Sequence, residues 1–269
     1  PRPGLAMYAR DENGEPSGWV KEGAGVQHFA EQFALTDDSR IQLHKESVAE
    51  TIQILSRHGV TSIFDAGNKG FGDLTYSVVS QLEKEAKLPL RYYGTYQIFT
   101  PERAKTAISE VKRYRSEYGG ELLQFNSVKL FMDGISANQS ASYLDPYEGN
   151  TAYVGATMLS VEELRDLLLD LNEEKLDLLV HTIGGLAVRT VLDAVEAAQV
   201  IVKDDFYPRV TIAHLALIDP VDLSRIGQLG VIANFTPWWF GVDLDDVVEE
   251  LLGDERYSKM YPAKTVVDS

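Results

Sequence analysis

Six short apolar runs, each followed by a stretch with the spacing of an amphipathic helix, constrain this chain more than any other feature it has. The runs are 60–64, 90–99, 127–132, 176–181, 209–214 and 231–235. The helical stretches that follow them are 74–87, 101–118, 160–174, 186–198, 219–230 and 244–252. A further helix precedes the first run, capped by Thr36 and stopped near His58 by Gly59. Pro101 suits the first turn of its helix, and Ser160 with Glu163 three residues on forms a capping box. Strict alternation of strand and helix implies a parallel sheet. The strands are nearly continuous apolar runs, as expected where helices cover both faces. A doubly wound sheet and a (β/α)₈ barrel both satisfy the pattern, but no glycine-rich phosphate loop follows the first strand, which disfavours a dinucleotide fold.

Composition removes several functions. The net charge of −16 opposes binding to nucleic acid or to anionic membrane surfaces. There is no cysteine, so disulfides, thiolate metal sites and thiol nucleophiles are excluded. No apolar run approaches the roughly 18 residues that a membrane-spanning helix needs. The compartment stays open, with the cytoplasm favoured over the periplasm or secretion. Residues 1–35 read as an irregular segment, with turns across Arg10 to Gly18, and the absence of Met at position 1 implies a start upstream. A long polar loop covers about 134–158, a length that in a compact domain points to function or disorder.

Polar residues stand at the strand ends, where barrels of this type build their active sites. Asp65 ends the first strand, the third carries Lys129 and Asp133, and His181 and His214 end the fourth and fifth. Only five histidines occur in the chain, and these two hold equivalent places on successive strands. Neutral imidazoles on adjacent strand ends can converge on a zinc-type ion. Lys129 lies between Val128 and Leu130, where an unpaired ammonium is costly to bury. It needs a carboxylate such as Asp133, or a modification that removes its charge. His28, His44 and His58 read as structural or surface groups. Trp238 and Trp239 after Pro237 suit either a pocket wall or core packing. Asp65 with Asp133 could also serve as the acid–base pair of a barrel glycosidase.

These residues together resemble the YtcJ-like amidohydrolases, a branch that includes N-substituted formamide deformylases and proteins labelled exoenzyme regulators. The segment from Val128 to Gly134, with Ala141 and Pro146-Tyr147 behind it, is similar to one signature of that family. His181-Thr182-Ile183-Gly184-Gly185-Leu186-Ala187 resembles its fifth-strand motif, and Leu192 to Glu196 continues the match. Arg209 to His214 is similar to its sixth strand, Gly59 to Gly67 to its second, and Gly14 to Gly18 to a loop before that. The resemblance implies a metal-binding (β/α)₈ barrel with a small β-sandwich. It makes Lys129, often carboxylated in the family, a bridging ligand, and His181 and His214 the ligands of strands 5 and 6. The implied cofactor is one or two divalent ions, zinc foremost.

The implied activity is metal-dependent hydrolysis of a non-peptide C–N bond in a small molecule. Asp133 and Trp238 are the candidate substrate contacts. No His-x-His pair is present, and Gly185 stands where the family usually has Asp. The six strands therefore read as strands 2 to 7 of an incomplete barrel. The general-base aspartate of strand 8 is expected beyond Ser269, and no residue of this chain is assigned that role. Such a fragment is expected to be weakly active or inactive, and its open edges suit pairing with another copy. The alternative reading is a non-catalytic binding or regulatory barrel.

Overall fold

A computed structural model describes residues 8–20, 38–68, 71–150, 152–241 and 245–269. The protein is α/β, and its larger sheet holds six strands in chain order. We label them β3 (Ser62–Phe64), β4 (Arg91–Ile98), β5 (Leu123–Phe131), β6 (Asp177–Thr182), β7 (Val210–His214) and β8 (Ile232–Asn234). Sequential order in a parallel sheet, with a helix in each connection, is the arrangement of consecutive strands in a (β/α)₈ barrel.

The chain divides into two compact units, and the boundary falls inside β5, between Lys129 and Leu130. One unit covers residues 23–98 and 102–129. There β3 pairs in parallel with β4, Ser62 lying opposite Arg91. Its described helices are α1 (Asp38–Arg57), α2 (Gly72–Lys84) and α3 (Pro101–Glu117). Tyr76 on α2 sits at 0% exposure among Tyr92, Tyr114 and Phe125, in edge-to-face contacts that bury large rings without stacking them. The Tyr76 hydroxyl bridges the Thr95 carbonyl at 2.8 Å and the Asp65 carboxylate at 3.1 Å. Asp65 also accepts from Gly67, Asn68 and Tyr92, so it fastens the end of β3.

The other unit covers residues 1–22, 99–101 and 130–269. Here β6, β7 and β8 pair in parallel, with Thr182 opposite His214 and Ala213 opposite Asn234. Helices α4 (Val161–Glu173), α5 (Gly185–Val202) and α6 (Pro220–Gln228) connect and follow these strands. The short helices α7 (Asp245–Leu252), α8 (Asp254–Tyr257) and α9 (Ala263–Asp268) close the chain. α4 begins as its sequence dictates: Ser160 Oγ accepts from the Glu163 amide, and the Glu163 carboxylate accepts from the Ser160 amide. α5 packs Ala187, Val188, Val191, Leu192, Ala194, Val195 and Ala198 at 0% exposure, so it is buried nearly all round.

Two parts of the sequence reading need restating. Residues 8–20, part of a segment read as irregular with turns across Arg10 to Gly18, form an antiparallel hairpin of β1 (Tyr8–Arg10) and β2 (Pro16–Val20). Asp11 makes the turn by accepting from the Asn13 and Glu15 amides, and Gly14 takes a φ of +82° that side chains disfavour. The rest of residues 1–35, with His28, and the cap at Thr36 lie outside the described residues. The 134–158 loop is held by its tyrosines. Tyr143 shares a hydrogen bond with Ser136, Tyr147 donates to the Ala141 carbonyl, and Tyr153 donates to the Gln139 carbonyl.

Candidate metal centre

His181 and His214 meet at the C-terminal ends of β6 and β7. Their ring centroids are 4.6 Å apart, with ring planes at 63°. The parallel register explains the meeting, because it sets His181 opposite Ala213 and Thr182 opposite His214. Two neighbouring strands thus bring their imidazoles to the same sheet end.

Each imidazole is oriented by its own contacts. His181 is 6% exposed, and its Nε2 lies 3.0 Å from the Gly134 carbonyl. A carbonyl only accepts, so Nε2 carries the proton and the lone pair of neutral His181 sits on Nδ1. His214 Nδ1 is 3.2 Å from Thr236 Oγ1, where either group can donate. The indole of Trp239 stacks flat on the His214 ring, with centroids 4.3 Å apart and planes within 6°.

The backbone at this point is strained. His214 and Leu215 have φ of +79° and +53°, two successive non-glycine residues in left-handed conformation. Such residues cost on the order of 1–3 kcal/mol each and collect at functional sites. Here the strain is fixed by Leu215, fully buried, whose amide donates to the Thr182 carbonyl at 3.0 Å, and by the Leu217 amide on the Ile183 carbonyl at 3.0 Å.

Asp133 holds the other side of the site. Its side chain is 0% exposed. Oδ1 accepts from the Ile183 amide, and Oδ2 from the Ser142 and Gly184 amides, all at 2.9 Å. One carboxylate therefore ties the long loop to the residues after His181. At 3.9 Å from His181 Nε2 it is too far for a direct hydrogen bond. Sequence offered Asp133 as a substrate contact; in the structure its oxygens accept from three backbone amides, so it positions the residues after His181. Burial above all raises the pKa of both Tyr147 and Tyr143, with the negative charge of Asp133 a lesser contribution to each, so both phenols stay protonated.

A cleft of about 470 Å³ opens beside the histidines. Ile135, Ile183, Trp239, Phe240, Met260 and Tyr261 form much of its wall. Trp238 also lines it while 78% exposed. Sequence singled out Trp238 as a candidate substrate contact; both tryptophans line the cleft, and it is Trp239 that touches His214. Thr236 carried no signal at all.

Lys129 belongs to the other unit, where it is buried at 3% exposure within β5. His44 and His58 have structural partners: His44 lies near Thr75 Oγ1 at 3.3 Å, and His58 donates to the Ile54 carbonyl at 2.8 Å. The donor chemistry of His181 and His214 suits a zinc-type ion. Among the described residues, however, no group of three or more His, Cys, Asp or Glu side chains is placed to hold one. The two imidazoles fit as part of a ligand set and not as a whole one.

The exoenzymes regulatory protein AepA of Pectobacterium carotovorum subsp. carotovorum is 27% identical over 268 residues, covering 97% of this chain and 54% of that protein. An N-substituted formamide deformylase of Arthrobacter pascens is 23% identical over 282 residues, covering 100% of this chain and 48% of that protein. The crystal structure of an uncharacterized metal-dependent hydrolase from Pyrococcus horikoshii superposes with a TM-score of 0.69 at 22% identity, covering 98% of this chain and 50% of that one. The likeness to that structure is one of fold, and the chain spans about half the length of the relatives it matches. The model of the amidohydrolase family matches residues 1–269 from end to end, and the chain belongs to that family.

Proposed function

We propose that the intact protein is a hydrolase that cleaves a C–N bond of amide type in a small molecule, with a divalent ion, zinc foremost, held in part by His181 and His214. The observation that carries this reading is the pair of imidazoles 4.6 Å apart on adjacent strand ends. When bound, such an ion polarises a carbonyl and lowers the pKa of a water on it. His181 would offer Nδ1, since its Nε2 is turned to the Gly134 carbonyl. Thr236 and Trp239 hold the His214 ring, and Asp133 holds the backbone after His181. The overall reaction adds the oxygen of water to the carbonyl carbon, breaks the C–N bond and releases the amine with a proton. The proposal rests on the two histidines; Lys129 lies in the other unit.

The test is amine release from a panel of small N-substituted amides by the full-length protein. His181→Ala and His214→Ala are each expected to lower turnover about 100-fold or more, since even changes to groups that only hold a metal ligand in place cost about 10- to 100-fold. Chelation should have the same effect, reversed by added metal. Turnover that survives chelation and both substitutions would rule the reading out. With two imidazoles as the ligands assembled among its described residues, residues 1–269 alone are expected to show weak or no turnover. A second reading, a binding or regulatory barrel, draws on the same incomplete donor set. An intact protein that holds no metal would favour it.

A further inference from the structure

The cleft beside the histidines adjoins both of them through its own walls. Ile183 is two residues past His181 and lines the cleft. Ile135 lines it too and follows Gly134, whose carbonyl lies 3.0 Å from His181 Nε2. Trp239 presents one face to His214 at 4.3 Å and is itself a cleft wall. A group seated in the cleft therefore lies against the supports of both imidazoles.

The chemistry of the wall is one-sided. Among its described residues there is no Asp, Glu, Lys, Arg or His; the polar side-chain groups are the hydroxyls of Ser136, Tyr257 and Tyr261 and the indole N–H groups of Trp238 and Trp239. Ser136 is bonded to Tyr143 at 2.6 Å. This neutrality stands out in a chain of net charge −16. An anionic substituent would lose its hydration there with no cation to receive it. A cation would gain little from the aromatic faces on offer: one face of Trp239 is taken by His214, the Phe240 ring leans on Tyr261 at 5.0 Å, and Trp238 is 78% exposed, where a cation–π contact made in water is weak. A volume of about 470 Å³ is ample for a ring with its linker, since an engineered cavity of about 150 Å³ already takes benzene.

We infer that this cleft seats the substituent of the scissile amide and selects an uncharged, bulky apolar group, aromatic or branched, over small or charged ones. The inference deepens the hydrolase reading and rests on it for the location of the scissile bond. Met260, half-buried in the wall, is the side chain through which the wall's polarity can be changed.

The test uses the full-length protein and four acetamides, N-methyl, N-benzyl, N-carboxymethyl and one bearing a trimethylammonium group. Binding is read from the emission of Trp238 and Trp239, with competition for ligands that leave it unchanged. The benzyl amide is expected to bind roughly 10- to 100-fold tighter than the methyl amide, the gain from burying one aromatic ring. Both charged amides should bind more weakly than the benzyl amide. Met260→Lys should erase the benzyl preference while Met260→Leu keeps it. Ala137→Phe, which fills the cleft from a different element, should erase it as well. Equal affinity for methyl and benzyl amides, tightest binding of either charged amide, or a preference untouched by Met260→Lys and Ala137→Phe would overturn the assignment. A benzyl preference without amine release sinks the hydrolase reading and keeps the cleft; amine release without a benzyl preference does the reverse.

Discussion

Replacing Gly184 by alanine is expected to cost the fold at least about 3 kcal/mol, whereas the same change at Gly185 is expected to be neutral or slightly stabilising. The two glycines are adjacent, and the resemblance separates them only in that Gly185 stands where that family usually has Asp. A Cβ at Gly184 would overlap the carbonyl oxygen and carbon of Ser142. Neither partner can move freely. The Ser142 carbonyl accepts from the Leu186 amide at 3.1 Å, and the Gly184 and Ser142 amides share Asp133 Oδ2. A side chain there must push the loop off the start of α5. At Gly185 an added Cβ meets Leu144 Cδ1 at 3.5 Å, an ordinary contact, and removes backbone freedom from the unfolded chain. Denaturant melts of the two variants decide the matter. Equal stabilities would mean that the loop does not press on Gly184 as described.

Asp133→Asn should be nearly as severe in stability and more damaging to the site. Asn keeps the shape but has one acceptor oxygen where three amides need two. With its oxygen toward Ser142 and Gly184, its NH₂ faces the Ile183 amide, and a buried donor is orphaned. The expected loss is roughly 2–4 kcal/mol, more than for a neutral hydrogen bond because the accepting group is charged. Folded Asp133→Asn protein should also bind divalent metal about 10- to 100-fold more weakly, because the amides it releases belong to the residues after His181. Chelator competition on the folded fraction gives that number. Lost stability with unchanged metal affinity would reduce Asp133 to a fold residue.

The α/β alternation was legible because strands covered on both faces must be apolar, and helices between them must repeat every three to four residues. Terminus signals were legible where a side chain closes its own hydrogen bond, as Ser160 and Glu163 do. The histidine pair was legible because a polar residue at the end of an apolar strand has little reason to be there unless it serves the sheet end. β5 was read short. Its strand begins at Leu123, where Gln124 and Asn126 alternate outward with buried Leu123 and Phe125 before the fully buried run starts. A strand that changes from half covered to fully covered changes period midway, and a search for one period finds only part of it. The role of Asp133 was out of reach for another reason. Its partners are backbone amides of Ser142, Ile183 and Gly184, up to 51 residues away, and backbone amides look alike in every sequence. The same holds for the turn that lays Trp239, and not Trp238, on His214.

The central claim is that His181 and His214 of this chain hold a metal ion in the intact protein. Its most direct test is the metal content and X-ray absorption spectrum of the full-length protein, native and with both histidines changed to alanine. The account predicts a bound divalent ion with imidazole scattering in the native protein and its loss in a folded double variant. A native protein without divalent metal, or a double variant that keeps its full content with the same imidazole signal, would contradict it.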